Sequence, residues 1–409
     1  MARLTVSLAA VAVLVISGVS YGFTYLESGT YGYMVPAYDA RSLAMGGAGL
    51  ASAEGARGLS LNPALLGRTE GIEVAVTGLV AVAEEAREVP LYDSFDGIIA
   101  YNTYAMNTGV YDRYSGAVAV EVLTVEAGNG VLHTGVGLGY GPRIEIGYNA
   151  HVQFRGSDDL VIYDYYAEGD GGINAFTVGV GQEVVSNMYV GLGIDFLRGD
   201  YDRSTRYVFS EYYDYEDEAS RFEYDDVSGT RFSLGLLYDR LHRLSLAAVY
   251  RTGFELSGTK SARPLGTQEF AVSDFTHKYP GTLALGVQYR PRNLLMTTVS
   301  ADIEYTGWSS FEDDTMADDP DLDDTVTYRI GVEHAFFDDT MARFGFSYNP
   351  SYTDKRSSTA AFSLGLGLDV LGAKVDVGGQ VGLREYDYGE ERRIRETTTL
   401  AMATITHTF

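Results

Sequence analysis

From Ile72 to the C-terminus, short stretches alternate apolar residues with small or polar ones, and this period of two limits what the chain can fold into. In residues 131–140, Leu132, Val136, Leu138 and Tyr140 share one face, opposite His133, Gly135, Gly137 and Gly139. In residues 231–238, Phe232, Leu234, Leu236 and Tyr238 alternate with Arg231, Ser233 and Gly235. Residues 243–250, 282–289 and 362–370 repeat the pattern, the first two ending on Tyr250 and Tyr289. A period of two gives each strand one apolar face. Each segment is about 10 residues long, the span a tilted strand needs to cross a bilayer. A soluble β-sandwich also alternates. Apolar faces on nearly every segment, often closed by Tyr, instead fit a lipid-facing band with an aromatic girdle.

The connections sort by length. Short turns are expected near Gly141-Pro142, Val185-Ser186, Asp239-Arg240, Pro291-Arg292, Phe337-Asp338 and Gly372. Long polar loops are expected at residues 156–172, 200–228, 255–279, 309–324, 351–358 and 386–396. Membrane barrels have short periplasmic turns and longer extracellular loops. The count is about fourteen strands, the first at residues 72–83. Residues 84–130 form either one long loop or an added hairpin at 98–106 and 117–125, which would make sixteen.

Residues 1–22 read as a secretory signal peptide. Arg3 opens a positive region, residues 4–19 are apolar, and Ser20 and Gly22 suit a cleavage site. Residues 41–67 lack the alternation and are rich in Gly and Ala. Their Ala44-Met45-Gly46-Gly47-Ala48 run allows backbone to pack against backbone, and Asn62-Pro63-Ala64 opens a turn. The domain reading is therefore leader 1–22, N-terminal segment 23–69 and barrel 70–409. With no Cys there is no disulfide framework. A net charge of −26 argues against nucleic acid as a partner.

The residues 44–48 and 62–64, placed just ahead of a barrel, resemble the N-terminal hatch of the FadL/TodX family of outer-membrane transporters. Tyr279-Pro280 and residues 302–311 (DIEYTGWSSF) are similar to that family's later strands. The resemblance implies an all-β fold: a transmembrane antiparallel β-barrel with the hatch inside its lumen, in the outer membrane of a Gram-negative-type bacterium. It implies passive uptake of a hydrophobic small molecule such as a long-chain fatty acid, with Ala44, Met45, Gly46, Gly47, Ala48, Asn62, Pro63 and Ala64 shaping the plug. It also implies a lateral opening at a kinked strand. Gly139 to Pro142 and Gly147 are candidates, although a periplasmic turn accounts better for Gly141-Pro142. The C-terminal Phe409 resembles the signal read by the barrel-assembly machinery, from which His407 departs.

Little points to chemistry. The six His are scattered, no G-x-S-x-G or H-E-x-x-H is present, and neither an enzyme, a cofactor nor a metal site is expected. Residues 211–226 and 312–324 are acidic runs expected as solvated outer loops, where a divalent ion bridging to lipopolysaccharide is a minor role. The many Gly, Ser, Ala and Thr at inward positions predict a lumen packed by small side chains, with little charge. Two other functions stay open: a barrel-bound surface adaptor for secreted proteins, and a general porin.

Overall fold

A computed structural model describes residues 24–35, 39–127, 130–155, 160–213, 215–264, 271–292, 296–336, 340–387 and 392–409. The expected leader lies outside the described residues. The N-terminal segment holds helix α1 (Tyr25–Ser28), strand β1 (Tyr33–Met34), helices α2 (Ala40–Ala44) and α3 (Gly55–Leu61), and a 3-10 turn over Pro63–Arg68. The wall follows as β2 (Ile72–Tyr92), β3 (Ile98–Ala127), β4 (Gly130–Glu145), β5 (Tyr148–Arg155), β6 (Val161–Val185), β7 (Met188–Phe209) and β8 (Glu218–Leu241). It continues with β9 (Leu244–Arg251), β10 (Phe254–Pro264), β11 (Ala271–Tyr279), β12 (Thr282–Tyr289), β13 (Thr298–Thr306) and β14 (Glu312–Asp313). The last strands are β15 (Thr325–Ala335), β16 (Thr340–Pro350), β17 (Ser358–Val370), β18 (Ala373–Asp387) and β19 (Arg393–Thr408).

All pairings are antiparallel, and β19 closes on β2 from Thr408↔Glu73 to Arg393↔Glu88. The pairs β4/β5, β9/β10, β11/β12 and β13/β14 are each one strand interrupted, so the closed barrel has fourteen strands. The sixteen-strand alternative is overturned. Residues 98–106 and 117–125 lie on one continuous strand, β3, paired with β2 from Ile98 to Val120.

The outward face shows why the alternation exists. Val180, Leu192, Leu236, Leu246, Leu285, Ile303, Ile330 and Leu364 stand exposed in a band around the wall. Tyr140, Phe176, Phe196, Phe232, Tyr250, Tyr305, Tyr328, Tyr348 and Phe362 rim it at one end, and Tyr289, Phe336 and Phe409 at the other. An apolar band between two aromatic girdles is the exterior of an outer-membrane barrel, and the chain is an outer-membrane β-barrel. Within the band the hatch-facing side carries Gly and polar residues on many strands, and buried apolar ones such as Leu79, Leu237, Val249 and Leu400 where it packs on the hatch.

Beyond the upper girdle most of the expected loops are not loops. Residues 161–172, 200–209 and 218–228 continue β6, β7 and β8 as a paired ribbon, and residues 254–264 and 271–279 pair as β10 and β11. At the outer ends of these ribbons both faces meet water, so apolar alternation fades while backbone pairing persists; nearer the girdle the inner face still buries Tyr201, Tyr224, Leu256 and Phe275.

Candidate functional site

The N-terminal segment fills the lumen. Asp39 caps α2, accepting from Arg41 N at 2.9 Å and Ser42 N at 3.0 Å, while Ser42 Oγ accepts from Asp39 N. Ala44, Met45, Gly46, Gly47 and Ala48 follow, all buried, with Gly46 at φ +67. Gly46 lies against Phe346 of β16, and a Cβ on Gly345 would collide with the backbone of Met45 and Gly46. Asn62 knots the segment together. Its Oδ1 accepts from Ala64 N at 3.1 Å, and its Nδ2 donates to Leu50 O at 2.9 Å and to Leu236 O of the wall at 3.2 Å. Pro63 and Ala64 press on Gly191 so closely that a side chain there would overlap them. The eight expected plug residues are thus brought into the lumen, in two clusters on different parts of the wall.

Ion pairs complete the seating. Arg41 donates two hydrogen bonds to Glu333, each 3.0 Å. Arg343 lies 2.6 Å from Glu333 and 2.6 Å from Asp376, which Arg57 also reaches at 3.1 Å. The expected uncharged lumen is therefore corrected. Small residues occur where hatch backbone touches wall, and apolar clusters and buried Arg–carboxylate networks share the rest. Opposite charges offset the cost of burying each other, and every carboxylate has more than one donor.

Above the α2–α3 layer lies a chamber of about 160 Å³. Its floor is guanidinium-rich. Arg231 and Arg143 both engage Asp195, at 2.6 and 3.4 Å. Arg251 and Arg329 both engage Glu304, at 3.2 and 3.1 Å, and Arg251 donates to Leu61 O at 2.8 Å. Asp302 accepts from the hatch amides of Gly49 and Leu50 at 2.7 and 3.1 Å. Its upper wall is aromatic. Trp308 stacks on Tyr352 with ring centres 3.9 Å apart, and Phe254 stacks on Tyr279 at 4.9 Å. Tyr352 Oη donates to Gly32 O at 2.8 Å and Tyr279 Oη to Tyr31 O at 2.7 Å, so the N-terminal segment also anchors this end. Near the roof, outside the membrane, Tyr31 Oη donates to Asp313 at 3.1 Å and His277 faces the same carboxyl at 3.5 Å. Burial alone would raise Asp313, but hydrogen bonds from His277 and Thr315 hold it below the usual carboxylate range.

The chamber sits where three strands break, at Thr252-Gly253, Pro280-Gly281 and after Thr306. The Tyr279-Pro280 pair and residues 302–311 frame it. Sequence reasoning missed its arginines. The available signal was Arg231 on the polar face of an alternating strand, with Arg251 directly following the Tyr250 that ends another.

The wall also has a seam. β3 pairs with β4 from Ala127↔Gly130 only as far as Gly116↔Tyr140. Beyond Tyr140 the inner edge of β4 is taken by the hatch strand β1, through Tyr33↔Glu145 and Met34↔Ile144. The expected periplasmic turn at Gly141-Pro142 is overturned. Both residues lie inside β4, where pairing to β6 slips between Pro142 and Ile144. Pro142 has no N–H to offer the ladder. The strand breaks outright between Glu145 and Tyr148, so Gly147 marks the kink. Arg113 of β3 spans the seam to Glu145, Nε to Oε1 at 2.5 Å.

A hatch-plugged, fourteen-stranded outer-membrane barrel with a kinked third strand is the class this geometry defines. The chain belongs to the BamG family, whose model matches residues 41–385. No curated protein matches it. Among solved structures it is similar to a Pseudomonas aeruginosa FadL homologue, with 14% identity, 92% of this chain and 100% of the other covered, and a TM-score of 0.68. The toluene transporter TodX of P. putida shares 17% identity over 91% of this chain and 99% of its own, at 0.65. The toluene transporter TbuX of Ralstonia pickettii shares 17% over the same shares, at 0.62. At these identities the likeness is one of fold.

Proposed function

We propose that the barrel passes hydrophobic small molecules across the outer membrane by diffusion. The observation that carries this reading is the chamber, a partly open space with an aromatic upper wall directly above a lumen-filling hatch. A molecule descends between the outer ribbons, transfers apolar surface onto Phe254, Tyr279, Trp308 and Tyr352, and is stopped by the hatch. Each buried CH₂ contributes about 0.8 kcal/mol, so few polar contacts are needed to hold it. Ala44 to Ala48 and Asn62 to Ala64 serve as the plug, and the seam between β3 and β4 is the exit into the bilayer. The similar structures include toluene transporters, which supports a hydrophobic cargo. The reading involves no catalysis.

The test exploits the absence of cysteine. Ser115 and Gly141 face each other across the seam; a Cβ on Gly141 would fall 2.8 Å from that of Ser115, so the two strands part by about 1 Å to reach the roughly 3.8 Å of a disulfide. In the Ser115→Cys, Gly141→Cys double variant, oxidation should abolish uptake of a radiolabelled hydrophobic probe and reduction should restore it. Uptake indifferent to oxidation rules out the seam. Unchanged uptake by a folded barrel lacking residues 41–67 rules out the hatch as plug.

A second reading, a surface adaptor for proteins, is favoured by the β2–β3 ribbon. Its turn is ordered by Asp93, which accepts from Phe95 N at 2.8 Å and Gly97 N at 2.9 Å, and it holds Phe95 89% exposed. Ile98, Ile99 and Met106 are exposed beside it. Affinity capture from intact cells distinguishes the two, since an adaptor retains a protein that is lost on Phe95→Asp.

A further inference from the structure

Within that transport reading, which this inference rests on, we infer that the chamber is a binding site for a small aromatic carboxylate, one ring bearing one anionic head. Three observations converge. The first is size. A cavity of about 150 Å³ takes up one benzene ring, and the chamber measures about 160 Å³. It holds a ring and a head group, whereas an extended long acyl chain would have to project out through its open side.

The second is polarity along its axis. Phe254, Tyr279, Trp308 and Tyr352 form the end nearer the extracellular side, and their stacked faces suit a flat ring. The opposite end presents Arg143, Arg231, Arg251 and Arg329. A neutral hydrocarbon has no use for that end. The third is how the acids are placed. Asp195 and Glu304 are each held by two of these guanidiniums, and Asp302 is turned onto the hatch amides of Gly49 and Leu50. A guanidinium carries five N–H donors in a planar fork that matches a carboxylate. An arriving carboxylate therefore meets four guanidiniums set against three resident acids, of which Asp195 and Glu304 are each held by two of those guanidiniums. In a chain of net charge −26, guanidiniums gathered in one interior chamber also form a local positive well for an anion.

The single tryptophan of the chain, Trp308, lines the chamber, so its emission reports on occupancy without a label. The experiment titrates benzoate, benzamide, toluene and dodecanoate into the full-length barrel in lipid nanodiscs, with excitation selective for tryptophan. Benzoate is expected to change Trp308 emission saturably, with a Kd at least about tenfold below that of benzamide, which has the same shape without the charge. Arg251→Gln is expected to raise the benzoate Kd about tenfold and leave that of toluene unchanged. The benzoate–benzamide pair gives the answer in the unaltered protein if that variant does not fold. Benzamide or toluene binding as tightly as benzoate overturns the anionic specificity and leaves the transport reading standing. Dodecanoate binding more tightly than benzoate overturns the size argument and likewise leaves transport standing. No response to any of the four overturns both.

Discussion

Below the chamber the hatch rests backbone-first on wall glycines, with ion pairs beside them; above it, apart from the short β1–β4 pairing, side-chain hydrogen bonds hold it. At the lower level Gly191 and Gly345 let the chain of residues 63–64 and 45–46 lie directly on the strands. At the upper level the same N-terminal segment is held by Tyr352, Tyr279 and Arg384, whose hydrogen bonds reach Gly32, Tyr31 and Glu27. The difference matters mechanically. A backbone contact at van der Waals range has no rotamer to change, so the glycine contacts of the lower seat are all or nothing. Side-chain contacts can swing between staggered wells, so the upper level can admit a guest while the lower one stays shut.

The largest effect should come from spoiling the backbone seat. In Gly191→Val the new Cβ would overlap the backbone of Pro63 and Ala64, and no flexible side chain is there to yield. Overpacking of a core costs about 1–3 kcal/mol, occasionally more, and this case belongs at or above the upper end. The expected result in planar bilayers is a steady open-pore current that the unaltered barrel lacks. A barrel that stays closed breaks the comparison, because the lower level would then be adjustable too.

Next is Arg343→Ala. Arg343 bridges Glu333 and Asp376, but Arg41 and Arg57 still hold those two acids. The loss should therefore be about 3 kcal/mol, the low end for breaking a buried pair. The midpoint of thermal unfolding, read by the gel shift of the folded barrel, measures it. A negligible shift would mean the glycine contacts alone seat the hatch.

How far the sequence foretold this molecule follows the same division. The wall was legible because lipid outside and hatch inside impose opposite demands on successive residues, as Phe232 and Ser233 show. Residues 41–67 stood out because they are rich in Gly and Ala and lack the alternation, but the wall glycines they press on, Gly191 and Gly345, could be matched to Pro63 and Gly46 only in the folded barrel. Above the girdle both faces of a strand such as β7 are wet, and residues 200–209 (DYDRSTRYVF) read as loop although they pair throughout. Gly141-Pro142 was misread for another reason. A proline that ends a strand and one that kinks it look alike until the neighbour's register is known. The chamber was least legible: Arg143, Arg231, Arg251 and Arg329 come from four strands, and nothing local links them.

A finer test falls on the adjustable level. Tyr352→Phe keeps the ring stacked on Trp308 and removes the hydroxyl that donates to Gly32 O. One neutral hydrogen bond contributes about 1 kcal/mol net. Stability should fall by about that much, while Trp308 emission stays near its original maximum and the pore stays closed. Opening of the pore would show that the upper contacts help seat the plug, and the two levels would no longer be separable.

The smallest effect is expected where the chain leaves both levels behind. Phe95 stands at the tip of the β2–β3 ribbon, and among the described residues it contributes to no buried cluster. Its turn is fixed by Asp93 and the backbone bond from Asp93 N to Gly97 O at 2.8 Å, neither of which uses the phenyl ring. Phe95→Ser should therefore change stability by no more than about 0.5 kcal/mol, as surface substitutions usually do. A ring that stabilises nothing in the isolated barrel and is still held out by an ordered turn needs a reason outside the fold. If unfolding is unaltered and a captured protein is lost, that reason is a partner and the adaptor reading gains. If the melt drops by several degrees, the tip packs against its own barrel, and the ribbon belongs with the side-chain-held upper level.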